Sequence, residues 1–496
     1  MTATRRTFSP SGNDAIAAET NDLLLHAVQS LADPTPFSGR MLMIGCGAVG
    51  QGSLPLIFRH IGLRPHQLSV LSADIEGRDV ALSYGVAFEV LPLHRDNVIA
   101  VLQARLGPGD FLVNASLDVS SLVLIEWTQS RGVHYIDACL EPWVGGHTET
   151  TLPVARRTNY AYRDQALALR AKQPGGPSCV LAHGANPGLV SHFVKQALED
   201  LAQGAGLPLA AMPDWAALAQ TLGVKAIQVA ERDGQISSRS KQPDEFLNTW
   251  SCAAFYGEAQ QPAELGWGTH EAALPPDGRA FDFGGGAAIY LDRPGLSTRV
   301  RSWSPLHGAF HGWLISHHES TSIAEFLTVR DGARLVYRPT SYYAYRPSDA
   351  AVLSLMEFAE RGGRPQSRER VMRDEIASGV DELGVLLMGQ SGGACWYGSQ
   401  LDIDEARRLC PHNNATTLQV NAPFVAAIAW ALRHPQAGIV EAESMDHRFM
   451  LDFCRPYLGT LAKVRTAWTP LQHRTGWSAA ASDADDPWQF AHFRVD

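Results

Sequence analysis

Gly45-Cys46-Gly47-Ala48-Val49-Gly50 stands between a short apolar run, Met41–Ile44, and a helical pattern over Val49–Ile61. The hexapeptide fits G-x-G-x-x-G, and its place after a strand and at the opening of a helix is what a dinucleotide-binding turn requires. Gly45 permits the tight turn, Gly47 lets the backbone approach a pyrophosphate with no Cβ in the way, and Gly50 lets the helix pack on the strand. The start of the helix then offers free N–H groups and a positive dipole end to the phosphates. Asp74 follows the next strand, Leu68–Leu71. There its carboxylate would accept from both ribose hydroxyls and repel a 2′-phosphate, which predicts NAD over NADP. Ser72 and Arg78 lie nearby, and Arg78 could tolerate a phosphate. The competing explanation is a glycine turn in a doubly wound sheet with no cofactor.

Further units alternate in the same way. Phe111–Asn114 is a strand opened by the turn Gly107-Pro108-Gly109-Asp110, Leu122–Ser130 reads as a helix and His134–Asp137 as a strand. Alternating β and α units imply a parallel sheet covered on both faces. Nicotinamide is expected beyond the C-terminal strand ends, so Asn114, Ala115 and Ser116 become cofactor candidates with Gly45, Gly47, Ala48, Val49, Gly50 and Asp74. Asp118 and Glu141 follow the same two strand ends; helix capping and loop solvation are their alternative roles.

The chain has 496 residues, too many for one core, since single cores stop growing near about 250–300 residues. Asn13–Leu31 has helical spacing and ends before Pro34 and Pro36. Beyond Thr158, Tyr160–Lys172 and Ser191–Leu201 read as helices, and from Val224 onward alternating β-branched and aromatic segments predict a mainly antiparallel sheet. Phe424–Arg433 and Asp446–Tyr457 read as helices, and the Ala/Asp-rich tail from Ser478 is expected to be mobile. The expected fold is α/β: a Rossmann-type doubly wound parallel sheet plus a second α+β domain. Its expected divisions are a helical extension (1–36), the Rossmann domain (37–157), a substrate and dimerisation domain (158–420), and C-terminal helices returning to the Rossmann domain (421–496).

Lys and Arg number 41 against 51 Asp and Glu, a net charge of −10 that argues against nucleic acid and suits a cationic ligand without demanding one. The 7 cysteines are scattered with no CxxC, which reads as reduced thiols in a cytoplasmic protein. The N-terminus lacks an apolar signal core, and Phe424–Leu432 is far short of the roughly 20 residues that span a bilayer. A soluble protein with no membrane partner is expected. There is no G-x-S-x-G and no P-loop, so serine-hydrolase and NTP chemistry have no support.

The second half carries a different kind of signal. Asn186 precedes Pro187, so its backbone is held extended and its amide projects from a fixed base; a loop Asn bonding its own backbone is the bland alternative. In Ile227-Gln228-Val229-Ala230-Glu231 the odd positions share one face, which ends in a carboxylate that is costly to bury unless it meets a cation. Trp250, Cys252, Ala254, Tyr256 and Glu258 share one parity. On a straight strand Trp250 and Glu258 would lie about 26 Å apart, so serving one site needs a bend, at Gly257 for instance. A Trp face attracts an alkylammonium, and plain core packing is the competing role. His307 and His311 have i, i+4 spacing, but no HExxH is present and Gly308 and Gly312 weaken a helix, so no metal is expected. His317, His318 and Glu319 read as a neutral base with a carboxylate, or as a structural pair.

These motifs resemble the bacterial homospermidine synthase family within the saccharopine dehydrogenase-like superfamily. The matching stretches are GCGAVGQG from Gly45, NASLDVSS from Asn114, DACLEPW from Asp137, HGANPGLVSHFVKQAL from His183, NTWS from Asn248, PAELGWGTHE from Pro262, SHHES from Ser316, and ELGVLLMG with ACWYGSQL from Glu382. They run from about residue 40 to about residue 455. The resemblance implies a cytoplasmic homodimer with tightly held NAD, which condenses two putrescines, or spermidine with putrescine, into homospermidine. It places Asp118, Asn186, Glu231, Trp250, Glu258, His317 and Glu319 at the family's site positions, with Glu141 near the pocket. Because every intermediate of that reaction is cationic, Trp250 and Glu231 are assigned to the inner amine, Asp118, Glu258 and Glu319 to distal or incoming amines, Asn186 to orienting substrate or nicotinamide, and His317 to proton transfer. An imine-forming NAD(P)-dependent dehydrogenase of the saccharopine or carboxynorspermidine type, and a non-catalytic NAD-bound sensor, are the rivals.

Overall fold

Four short apolar strands, Met41–Ile44, Leu68–Ser72, Phe111–Asn114 and His134–Asp137, form the buried centre of a parallel sheet. The computed structural model describes residues 33–210, 213–390, 393–472 and 486–495, so the helix expected over Asn13–Leu31 lies outside them. Thr35 onward packs as one unit. The sheet has seven strands among the described residues. Its order is Ile439–Val440, Cys179–Val180, His134–Asp137, Phe111–Asn114, Met41–Ile44, Leu68–Ser72, Ala87–Val90. The first two pairs of residues come from far along the chain, and strands that short carry no periodicity from which to read them.

Helix Ala48–His60 follows the glycine turn, one residue earlier than the pattern suggested at each end. Helix Ala415–Arg433 lies against it at a notch made by Gly52, where a Cβ would sit 2.1 Å from Asn421 Nδ2. Ser53 Oγ donates to Asn421 Oδ1 at 3.1 Å, and Asn413 Nδ2 donates to the Gly52 carbonyl at 3.1 Å. This 19-residue helix is longer than the apolar stretch read from the sequence, and it is long and apolar enough to cross a membrane. However, 89% of its most apolar stretch is buried inside the fold, so it serves here as a core helix.

The second sheet has eleven strands among the described residues and is mainly antiparallel. Its centre is Ala226–Asp233, parallel to Thr340–Arg346 on one side and antiparallel to Val380–Met388 on the other. Alternation divides its faces. Ala226, Ala230, Tyr342, Ala344, Leu386 and Met388 join Trp396 in an apolar core. Trp488, Phe490 and Phe493 complete that core, and Arg494–Val495 pairs with Arg299–Ser304. Part of the tail expected to be mobile is therefore packed, held by the burial of its aromatic residues. Arg299–Ser304 and Gly308–Ile315 form a hairpin that sets His311 opposite Arg301. His307 sits in the turn and meets Glu382 at 2.6 Å, so the i, i+4 histidines are not on a helix.

Candidate active site

A cavity of about 620 Å³ opens between the strand ends of the parallel sheet and the part of the second sheet that carries Glu231 and Tyr343. One wall is backbone. Gly45 has φ +86°, and a Cβ there would lie 2.5 Å from the Ala115 carbonyl oxygen, so only glycine fits this turn. A Cβ on Gly50 would lie 2.8 Å from the Gly45 oxygen and 3.3 Å from Met43 Sδ, so the helix start sits close against the turn and the strand before it. A Cβ on Gly47 would meet nothing within 4 Å. That glycine keeps open space beside the helix start, as a pyrophosphate cradle requires. The first turn of helix Ala48–His60 has no acidic residue to compete for an anion.

Asp74 lines the cavity, and its Oδ1 accepts the Glu76 N–H at 2.8 Å. The cradle and the carboxylate together fit a dinucleotide with an unphosphorylated ribose. Ala48, Val49, Asn114, Ala115 and Ser116 line the same wall. The Asn114 amide is engaged within the protein: its Oδ1 accepts from Ser116 Oγ at 2.6 Å and its Nδ2 donates to Tyr135 Oη at 3.2 Å. It shapes the strand end. Asp137 ties this wall to the loop that carries Asn186, accepting Tyr135 Oη–H at 2.8 Å and the Ala182 N–H at 2.6 Å. Burial pushes its carboxyl up to about 6.

The opposite wall is made of side chains. Glu231, on strand Ala226–Asp233, is buried and accepts Tyr343 Oη–H at 2.5 Å and Asn186 Nδ2–H at 3.1 Å, both at Oε2. No cation pairs with it among the described residues. Burial pushes it up to about 7; the nearby Asp233 charge adds to this, while the Tyr343 and Asn186 donors and the His317 charge pull it down. Asp381, buried on the adjacent strand opposite Asp233, is held well above the usual carboxylate range by burial and by Glu231 and Asp233.

Trp250 stands before a helix, Cys252–Gln260, where the parity of Trp250 to Glu258 predicted a strand. Ser251 Oγ caps that helix by accepting the Ala254 N–H at 3.1 Å, and Cys252, Phe255 and Ala259 are its buried positions. A helix rises about 1.5 Å per residue, so Trp250 and Glu258 reach one site with no bend at Gly257. Trp250 Nε1 donates to Tyr345 Oη at 3.1 Å.

A carboxylate group gathers near Trp250. Glu258 and Asp118 line the cavity, and Glu141 stands behind Cys139, whose thiol donates to Glu141 Oε1 at 3.0 Å. Burial pushes Glu141 up to about 7, and the charges of Glu258 and Asp118 raise it further. Asp118 has φ +63° and burial raises its carboxyl. His317 Nε2 lies 3.1 Å from Glu258 Oε2 and its Nδ1 lies 3.3 Å from Glu319 Oε1. Burial disfavours its charge, but Glu319 and Glu258 outweigh that and raise it to about 10. His317 is thus an imidazolium at neutral pH, not the neutral base read from the sequence. His318 faces away, to Glu441 at 2.8 Å.

Of the expected residues, the cavity surface gathers Gly45, Gly47, Ala48, Val49, Asp74, Asn114, Ala115, Ser116, Asp118, Asn186, Glu231, Trp250, Glu258 and His317. Gly50, Glu141 and Glu319 stand one layer behind it. Tyr343, which lines the cavity, and Tyr345 and Asp381 behind it were missed. The alternation in Thr340-Ser341-Tyr342-Tyr343-Ala344-Tyr345-Arg346 was a legible strand signal, but its pairing with Ala226–Asp233 was not.

Residues 41–180 match the saccharopine dehydrogenase NADP binding domain, and residues 184–466 match the saccharopine dehydrogenase C-terminal domain. Homospermidine synthase of Blastochloris viridis is 48% identical over 465 residues, covering 92% of this chain and 97% of that protein. Homospermidine synthase of Mesorhizobium japonicum is 45% identical over 468 residues, covering 92% and 96%. The crystal structure of homospermidine synthase from Legionella pneumophila, in complex with NAD, superimposes with a TM-score of 0.87 at 45% identity, covering 93% of this chain and 99% of that one.

Proposed function

The chain belongs to the homospermidine synthase family, and from that premise we propose that it condenses two putrescines into homospermidine and ammonia, with NAD as its resident cofactor. Spermidine as the aminobutyl donor would release diaminopropane in place of ammonia. Bound NAD supplies a hydride acceptor for the carbon beside an amine and returns that hydride later in the cycle. The glycine turn and the start of helix Ala48–His60 would hold its pyrophosphate, and Asp74 its ribose.

The observation that carries this reading is Glu231: a buried carboxylate at the cavity wall, bonded by neutral donors, with no cation partner among the described residues and Trp250 nearby. An ammonium is what that place lacks. Glu231 would hold the inner amine, and Trp250 would face the cationic carbon–nitrogen centre by cation–π attraction. Glu258, Asp118 and Glu141 would take the distal or incoming ammonium, and Asn186 would hold Glu231 and orient the substrate. His317, as an imidazolium fixed by Glu258 and Glu319, would give a proton to the departing nitrogen. Near 7, Glu231 can exchange a proton at neutral pH, which suits it to help free an attacking amine of its own proton.

No Arg or Lys lines the cavity among the described residues. A carboxylated amine would need one, which favours a carboxylate-free polyamine over the dehydrogenase reading. Incubation with putrescine and NAD should release ammonia and homospermidine, seen by mass analysis, with no net NADH. Stoichiometric NADH build-up would replace this reading with simple amine dehydrogenation. We also propose a cytoplasmic homodimer, supported by the family resemblance; light scattering on the purified protein tests the stoichiometry.

A further inference from the structure

The two residues that would bracket the substrate, Glu231 and Trp250, are held by one pair of tyrosines. Tyr343 and Tyr345 are two apart on strand Thr340–Arg346, so their side chains leave the same face. Their rings stack at 5.3 Å with 17° between planes. Tyr343 Oη–H donates to Glu231 Oε2 at 2.5 Å, while Tyr345 Oη accepts Trp250 Nε1–H at 3.1 Å. Tyr343 also covers the His317 ring at 4.5 Å between centroids. It thereby stands between the imidazolium and Glu231, whose contacts are neutral donors. Both tyrosines are buried, and the strand that carries them runs parallel to the one bearing Glu231, with Tyr345 opposite Glu231.

We propose that Tyr343 and Tyr345 are positioning residues with divided work: Tyr343 favours the ionised form of Glu231 and turns it to the substrate, and Tyr345 fixes the plane of the Trp250 indole. This rests on the polyamine reading above. Burial holds the Tyr343 phenol well above its usual range, so it remains a permanent donor. The groups facing Glu231 are Asp233 on its own strand, Asp381 on the antiparallel neighbour, Tyr343 and Tyr345 on the parallel one, Asn186 from its loop and His317 at the helix start. Asp233 and Asp381 oppose ionisation of Glu231. Among the strands packed on it, Tyr343 alone donates a hydrogen bond to its carboxylate.

Removing a hydrogen bond to a charged acceptor raises the pKa of that acid. In Tyr343→Phe the acid limb of the kcat/KM profile for putrescine should therefore move up by about one to two pH units, with NAD affinity unchanged. In Tyr345→Phe the limb should stay in place while kcat falls. In a Glu231→Gln background, Tyr343→Phe should cost little more. An unmoved limb in Tyr343→Phe, an equal limb shift in Tyr345→Phe, or a full extra loss in the Glu231→Gln background would each overturn the division of work. Because wild-type enzyme is assayed for homospermidine in the same series, failure of the polyamine reading would show there and failure of this inference only in the variants.

Discussion

The two walls of the cavity are built from different materials. The cofactor wall is backbone: glycines, a helix start and strand ends drawn mainly from residues 41 to 118. The amine wall is side chains: Glu231, Trp250, Tyr343 and His317, brought together from separate strands and helices. Apart from the Asp74 carboxylate, the backbone wall presents fixed dipoles that do not titrate, which suits a ligand whose bound portion keeps one charge state. A wall of acids and rings has charges that depend on pH and on one another, which suits a substrate whose nitrogen must change its protonation within the cycle. On the proposed reading, the difference teaches that cofactor binding and chemistry at nitrogen fall to separate parts of the chain.

The sharpest way to break this contrast is Gly45→Ala. With φ +86° and a backbone oxygen 2.5 Å from the new Cβ, the turn cannot persist, so NAD binding should be lost outright; equilibrium dialysis with NAD checks it, and near-normal affinity would mean the wall is not set by its backbone. Next comes the pH response of the side-chain wall. His317 is raised to about 10, so its contribution to stability is full below about 6.5 and is lost as pH rises through 10. Across that window wild type should lose on the order of a few kcal/mol that His317→Gln does not lose, as read by denaturant midpoints. Glu231→Gln should raise the KM for putrescine by roughly 10- to 100-fold and leave NAD bound; an unaltered KM would remove it from the inner amine. Trp250→Ala should lower kcat by roughly 3- to 30-fold, again with NAD affinity intact. Loss of NAD in either variant would show that the walls are not independent.

The same contrast decides what the sequence disclosed. Gly45, Gly47 and Gly50 lie within one hexapeptide and Asp74 ends the next strand, so the cofactor wall was legible from spacing. Glu231 and Trp250 were legible as odd residues on apolar patterns, though the segment after Trp250 was misread. Five residues at even spacing matched a strand, while the cap at Ser251 and the i, i+3, i+7 burial of Cys252, Phe255 and Ala259 were the stronger helical signal. Tyr343 touches Glu231 across 112 positions, a contact fixed only by strand register. The charge of His317 rests on Glu319, two positions on and visible in the sequence, and on Glu258, 59 positions away, whose approach no local reading could have supplied.

Strand Ile439–Val440 closes one edge of the parallel sheet by pairing with Cys179–Val180. A nascent chain leaving the ribosome must make every strand of the antiparallel sheet up to Asp402 before that edge has a partner, and until then Cys179–Val180 presents bare amides and carbonyls to its surroundings. Helix Ala415–Arg433, which fits the Gly52 notch, also arrives only at that late stage. The part of the fold that looks most self-sufficient is thus among the last to be finished during translation.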